Sequence, residues 1–256
     1  MLVLILRRRI MFMVGGSILI LLFWSWSAAY LPVYKNRQLW EKTGDIVWEG
    51  STTSKQIAIT FDDGPSATFT EPILELLKEY NARATFFVIG KRVELFPEIV
   101  RRQYREGHEI GNHTYEHREV NRLSEQELVA ELRRAHQAIK GVIKDDVRVF
   151  RPTSGYYDEK IVKAAKELNY SVIIWTWGQD TRDWTYIRGW KIAQKVVKTV
   201  KPGDIILFHD QGGDRSNTIE ALRIILPALA ERGYRFVTVS ELLRSGEKPV
   251  GEGSVM

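Results

Sequence analysis

The chain is expected to fold as an α/β domain built on a parallel sheet. Seven short apolar runs, often β-branched or aromatic, recur from Gln56 onward; amphipathic stretches lie between them, and no repeat or low-complexity segment interrupts the pattern. Repeated strand–helix alternation makes the strands parallel and covers the sheet with helices. Seven strands allow either a closed barrel or an open doubly wound sheet. The 256 residues, 44% hydrophobic and 27% charged, suffice for one sizeable core.

The strands are expected over 56–61, 84–89, 109–111, 147–150, 171–175, 204–208 and 236–239. The stretch 72–80 carries Ile73, Leu76 and Leu77 on one helical face. Ser124-Glu125-Gln126-Glu127 is a capping box, in which the hydroxyl and the Glu three residues on satisfy exposed amides; a long helix then runs to about residue 140. Helices over 158–168, 190–200 and 217–231 complete the set. In a barrel, chemistry gathers at the C-terminal ends of strands, so functional residues should follow the strands directly.

Ahead of this domain, residues 10–31 carry no charged side chain and include an aliphatic run over 18–22 ending in Phe23. About 20 apolar residues span a bilayer as a helix. Trp24, Trp26 and Tyr30 suit the headgroup zone, and the three arginines over 7–9 keep the N-terminus cytoplasmic. One N-terminal transmembrane helix is therefore expected, with the rest of the chain outside the cell membrane. Ser27-Ala28-Ala29 is a small-x-small triplet that a signal peptidase can cut, in which case the domain is secreted. The organisation expected is a membrane anchor or signal segment over 1–31, a linker over 32–55, the α/β domain over 56–245 and a tail over 246–256.

The formal net charge is +5, and the basic residues over 101–105 and 133–144 are spread along helices, with acidic residues such as Glu98, Glu106, Glu131 and Asp145 flanking the two stretches. That is a solvated face, and no nucleic-acid partner is expected. The chain has no cysteine, which excludes disulfides, thiolate metal ligands and thiol nucleophiles. Any metal must be held by His, Asp or Glu.

Five motifs carry candidate chemistry. Thr60-Phe61-Asp62-Asp63-Gly64-Pro65 sets two carboxylates at a strand end, where Gly-Pro supplies a turn. His113-Thr114-Tyr115-Glu116-His117 holds two imidazoles four residues apart, a spacing that lets one side of a helical turn grip one ion. Arg151, in Phe150-Arg151-Pro152-Thr153-Ser154-Gly155, has a permanently charged planar fork able to hold a carboxylate. The run from Trp175 to Trp184 mixes aromatic rings with polar groups, as sugar faces require; Trp175 is expected in the core and Trp184 in a groove. Leu207-Phe208-His209-Asp210 offers an imidazole at a strand end that can act as a general acid near neutral pH. Each motif alone has an ordinary structural reading; their common place after predicted strands is what joins them.

Thr-Phe-Asp-Asp-Gly, His-Thr-x-x-His, Arg-Pro, Asp-Trp and Leu-Phe-His, in that order, resemble the polysaccharide deacetylases: the NodB-homology enzymes, carbohydrate esterase family 4. The resemblance covers about residues 56–243 and implies a distorted (β/α)7 barrel. It implies that Asp63, His113 and His117 bind a divalent metal, zinc above all, with cobalt, nickel or manganese as alternatives. It further implies Asp62 as general base, Arg151 as its orienting partner, His209 as general acid and Asp183 as the support of His209. Trp184 and Leu207 would line the acetyl pocket, and a backbone amide near Ser154 would meet the oxyanion. The implied substrate is an acetylated surface polysaccharide, with peptidoglycan N-acetylglucosamine or N-acetylmuramic acid ahead of chitooligosaccharides and xylan, and a monomer is expected. A non-catalytic cell-wall binding module is the alternative, disfavoured because sugar binding needs neither a base nor an acid. The chain departs from the pattern at Arg-Pro-Thr-Ser-Gly, where many members have Arg-Pro-Pro-Tyr-Gly, so that Tyr ring is absent.

Overall fold

The structure is a computed structural model that describes residues 37–246. The chain divides into two compact units, Met1–Asp45 and Ile46–Met256. Of the first, residues 37–43 are helical, with Arg37 Nε donating to Glu41 Oε1 at 2.6 Å. The expected membrane span over 10–31 and the tail beyond residue 246 lie outside the described residues. Among the described residues, no helix is long and apolar enough to cross a membrane.

The second unit is built on strands β1 (Ile46–Val47), β2 (Gln56–Asp62), β3 (Ala84–Val88), β4 (Glu109–Asn112), β5 (Val149–Phe150), β6 (Ser171–Ile173), β7 (Ile205–His209) and β8 (Arg235–Phe236). The helices are α1 (Thr70–Glu79), α2 (Gly90–Leu95), α3 (Pro97–Arg105), α4 (Glu125–Ile143), α5 (Glu159–Glu167), α6 (Gly189–Thr199), α7 (Ser216–Glu231) and α8 (Val239–Gly246). The sheet order is β1-β6-β5-β4-β3-β2-β7, with β8 paired to the start of β2, and every ladder is parallel. Between β7 and the β6–β1 edge the ladder gives way to isolated bridges, Asp180 with Leu207 and Glu49 with Asp204. The α/β class and the parallel sheet are as expected, and the barrel is distorted at this seam.

All seven residues of β2 are buried, the continuous pattern of a strand covered on both faces. Side-chain alternation sorts them. Ile57, Ile59 and Phe61 face the helices, with Phe61 stacked on Phe86 at 4.9 Å. Ala58 belongs to an inner cluster with Phe87, Val149, Ile173, Ile205 and Leu242, the last contributed by α8 at the end where the strands begin. The same alternation turns Thr60 and Asp62 inward, toward the strands' C-terminal ends.

Several boundaries move. The strand expected over 171–175 ends at Ile173, because Thr176 N then donates to Ile205 O and the chain crosses toward β7. The strand expected over 147–150 shortens to Val149–Phe150. The run 236–239 is strand only to Phe236; Thr238 and Glu241 bond reciprocally, side chain to backbone, and open α8. That Thr-x-x-Glu spacing is a second capping box, legible in the sequence and hidden by the apolar run around it. Residues 46–55, read as linker, contribute β1, which pairs with β6.

The Ser124 capping box forms as expected: Glu127 N donates to Ser124 Oγ at 3.2 Å and Ser124 N to Glu127 Oε2 at 2.9 Å. Ser124→Ala should lower stability by about 1 kcal/mol, read as a shift of the denaturant midpoint with unchanged slope, and should leave activity intact.

Candidate active site

The C-terminal ends of the strands stand level because their registers align. Asp62 pairs with Phe87 on β3 and His209 on β7; Phe87 pairs with Gly111, and Asn112 with Phe150. The next residues, His113 and Arg151, therefore emerge side by side. Asp62, Asp63, His113, His117, Ser154, Trp175, Trp184, Leu207 and His209 all line one open cleft of about 380 Å³.

Asp62 closes β2, and Asp63 turns out of the strand with φ at +76°, so both carboxylates face the cleft despite being neighbours. Such backbone is costly for a residue other than glycine and persists where the surroundings hold it. Gly64 must lack a side chain, because the carboxylate of Asp210 occupies the space a Cβ would take, 2.3 Å from Oδ1. Asp210 is itself buried: Thr70 Oγ1 donates to its Oδ2 at 2.5 Å, and Oδ1 has no hydrogen-bond partner among the described residues. Burial, reinforced by the charge of Asp63, pushes this carboxyl up to about 7 against the pull of Thr70 and His209.

The two imidazoles meet Asp63. His117 Nε2 lies 3.1 Å and His113 Nε2 3.4 Å from Asp63 Oδ1. One ligand atom from each residue falls within 4.8 Å of the others. The pair was expected on a helical turn; it lies instead on an irregular loop, where Thr114 at φ +67° and His117 at φ +58° fold the chain back. Asn112 Oδ1 accepts from Thr114 N, and Thr114 Oγ1 accepts from His117 N, which fixes that loop. His113 Nδ1 donates to Arg151 O at 2.7 Å, which turns the Nε2 edge of the ring toward Asp63. Burial opposes ionisation of Asp63, but the hydrogen bonds and charges of His113 and His117 outweigh it and hold the carboxyl far below its usual range. An O,N,N donor triad with its remaining sides open to the cleft fits a divalent cation of catalytic type.

Behind the triad, Arg151 is fully buried and makes four hydrogen bonds with its five N–H groups. Nη1 binds Asp62 Oδ1 at 2.7 Å and Thr60 Oγ1 at 2.8 Å, Nη2 binds Ile174 O at 2.9 Å, and Nε binds Ile173 O at 3.2 Å. The guanidinium lies 4.1 Å from the Phe87 ring centre. On the opposite wall, His209 Nδ1 bonds Asp183 Oδ1 at 2.8 Å, and Asp183 Oδ2 accepts from His209 N and Thr218 Oγ1. Burial lowers the His209 pKa, but the hydrogen bond and charge of Asp183, with the charges of Asp62 and Asp63, outweigh it and raise it to about 9.

All ten residues singled out from the sequence thus converge, eight on the cleft and Arg151 and Asp183 directly behind it. Trp184 is exposed in the groove as expected; Trp175 both packs on the inner core and lines the cleft. Sequence reasoning missed Thr60, Thr218 and Arg215. Arg215 lines the cleft and folds the loop after His209 by binding the carbonyls of Gln211, Gly212 and Asp214. Thr60 stands in the first motif but takes its part only through the bond to Arg151, whereas Thr218 and Arg215 belong to no motif and are brought in by the fold alone.

The family model described as polysaccharide deacetylase matches residues 49–173. A Bacillus cereus protein named peptidoglycan-N-acetylglucosamine deacetylase is 47% identical over 204 residues, 80% of this chain and 95% of its own length. The chain belongs to the polysaccharide deacetylase family. Another member, named chitooligosaccharide deacetylase, from Azorhizobium caulinodans, is 33% identical and spans 70% of this chain and 90% of its own. Among solved structures, the Bc1960 peptidoglycan N-acetylglucosamine deacetylase superposes with a TM-score of 0.77 at 34% identity, covering 80% of this chain and 96% of that one. The cleft is therefore the one this family carries at the C-terminal ends of its strands.

The Asp183 contact carries a checkable consequence. In the metal-free protein, the His209 imidazole should titrate near pH 9 by NMR, and Asp183→Asn should bring its pKa down. Because the pKa is raised on folding, the stabilisation is complete below the ordinary value of 6.5 and disappears as pH rises through about 9.

Proposed function

We propose that the protein is a metal-dependent hydrolase that removes N-acetyl groups from amino sugars of a cell-wall polysaccharide, peptidoglycan N-acetylglucosamine or N-acetylmuramic acid foremost. One observation carries this reading: the Asp63–His113–His117 triad is flanked by a carboxylate pinned to Arg151 and an imidazole pinned to Asp183. A sugar-binding module has no use for either pinned group. The names of the relatives support peptidoglycan ahead of a chitooligosaccharide as the substrate class.

Asp63, His113 and His117 would hold the divalent ion, zinc foremost. When bound, the ion supplies Lewis acidity at the carbonyl and lowers the pKa of water. Asp62 takes the proton of the attacking water at Oδ2, since Oδ1 is engaged by Arg151. The oxyanion contact is assigned to the backbone N–H of Ser154, a residue that lines the cleft and sits at φ +57°. His209 then delivers a proton from Nε2 to the departing sugar nitrogen, because Nδ1 is held by Asp183. Leu207, buried in the cleft wall, and Trp184, at its rim, border the space for the acetyl methyl.

The apolar run over 10–31, with arginines before it, supports a single-pass anchor that holds the catalytic unit outside the membrane. A reporter fused after residue 31 should be protected from cytoplasmic labelling and recovered with membranes; recovery in the soluble external fraction would instead indicate cleavage.

Acetate release from purified peptidoglycan tests the central reading. Chelation should abolish release and a divalent metal restore it. Asp62→Ala and His209→Ala should each cut kcat by about 10²–10⁴-fold. Failure of the metal-loaded protein to release acetate from any acetylated glycan would remove the deacetylase assignment.

A further inference from the structure

The cleft holds about 380 Å³, near the lower end of the ~300–1,000 Å³ typical of small-ligand sites. A polysaccharide reacting there must lay the rest of its length over the rim. One side of that rim is the segment between β6 and α6, which lends Trp175, Asp180 and Trp184 to the cleft. The same segment and the first turn of α6 expose Trp177, Tyr186 and Trp190. Tyr186 is 104% exposed and Trp177 70%; exposed rings gathered on one segment beside a functional cleft, unlike single scattered ones, mark a candidate contact surface.

The segment is fixed in shape by its own hydrogen bonds. Arg182 N donates to Asp180 Oδ1, Thr185 N and Oγ1 donate to Arg182 O, Ile187 N meets Thr185 Oγ1, and Lys195 Nζ binds Asp180 O. At its end, Gly189 N donates to Asn217 Oδ1 and Glu220 Oε2 on α7, and a Cβ there would lie 2.5 Å from Asn217 O. The aromatic rings are thus presented outward on a braced loop, which reduces the ordering cost of binding.

We propose that Trp177, Tyr186 and Trp190 form a ridge that binds the sugars of an extended N-acetylated glycan flanking the one in the cleft. Aromatic faces suit the CH faces of pyranose rings, and Trp184, which lines the cleft, lies in the same segment between Trp177 and Tyr186 in sequence. The proposal rests on the deacetylase reading for the identity of the chain that is bound. It makes the protein selective for polymer length, because a short oligomer fills the cleft without reaching the ridge.

Binding and turnover of N-acetylglucosamine hexamer and dimer separate the two readings. Affinities are measured by fluorescence on the full chain carrying Asp62→Asn, and kcat/KM on the metal-loaded enzyme. Tyr186→Ala with Trp190→Ala should weaken hexamer binding and raise hexamer KM about tenfold, with kcat held and dimer kinetics changed less than twofold. Tyr104→Ala, an exposed aromatic on α3 near the opposite end of the barrel, should change neither. Equal losses on hexamer and dimer, no loss on either, or a wild-type hexamer affinity no tighter than that for dimer would each overturn the ridge. So would unchanged hexamer binding with lost self-association in sedimentation, which would assign the face to a second copy. If the wild type releases no acetate yet binds hexamer through these residues, the enzymatic reading fails and the ridge stands.

Discussion

The buried contact between Arg151 and Asp62 is the constraint on which the cleft depends. A guanidinium with no solvent exposure is tolerated only when its charge is paired and most of its donors are occupied, and here a carboxylate, a hydroxyl and two carbonyls take four of the five N–H groups. The partners come from β2 and the end of β6, while Arg151 itself follows β5. One side chain therefore ties three separate strands inside the barrel. Removing either member leaves the other charge buried alone, a loss of about 3–5 kcal/mol. The Arg151 backbone takes part as well, since its carbonyl fixes the ring of His113. The carboxylate and the imidazole cannot be positioned independently, because one residue holds both.

Two devices extend that anchoring into a site. Parallel register brings β2, β4, β5 and β7 to a common level, so residues far apart in sequence emerge together. Left-handed backbone at Asp63, Thr114 and His117 then redirects side chains that a regular strand or helix would send elsewhere. Each such residue is strained, and each lies where neighbouring contacts overdetermine the turn, as Asn112 does for Thr114 and Asp210 does beside Gly64.

The sequence made the fold class and the ten site residues legible because both rest on local signals. Strand runs ending in Asp62, Arg151 and His209 appear in order along the chain, and the Ser124 capping box marks a helix start unaided. What stayed hidden was set by tertiary contact. Strand β1 is two residues long and exists by pairing with β6. The truncation of β6 at Ile173 reflects a crossing toward β7 that no propensity records. The histidine spacing resembles a helical turn, yet the bond from Thr114 to Asn112 gives a loop with the same convergence. Spacing reported that the imidazoles could meet, without fixing the backbone that makes them do so.

The two flanking groups are held by opposite electrostatic logic, and this gives the cleft its direction. Asp62 faces a cation through one oxygen, which leaves its other oxygen toward the triad. His209 faces an anion through Nδ1, so its charged form is favoured and its other nitrogen remains toward the cleft. A residue held ready to accept a proton and one held ready to donate thus stand on adjacent strands at the same register position. A cleft assembled only to bind sugars has no need of such paired and opposed bias, whereas proton transfer from attacking water to departing amine requires both halves at once.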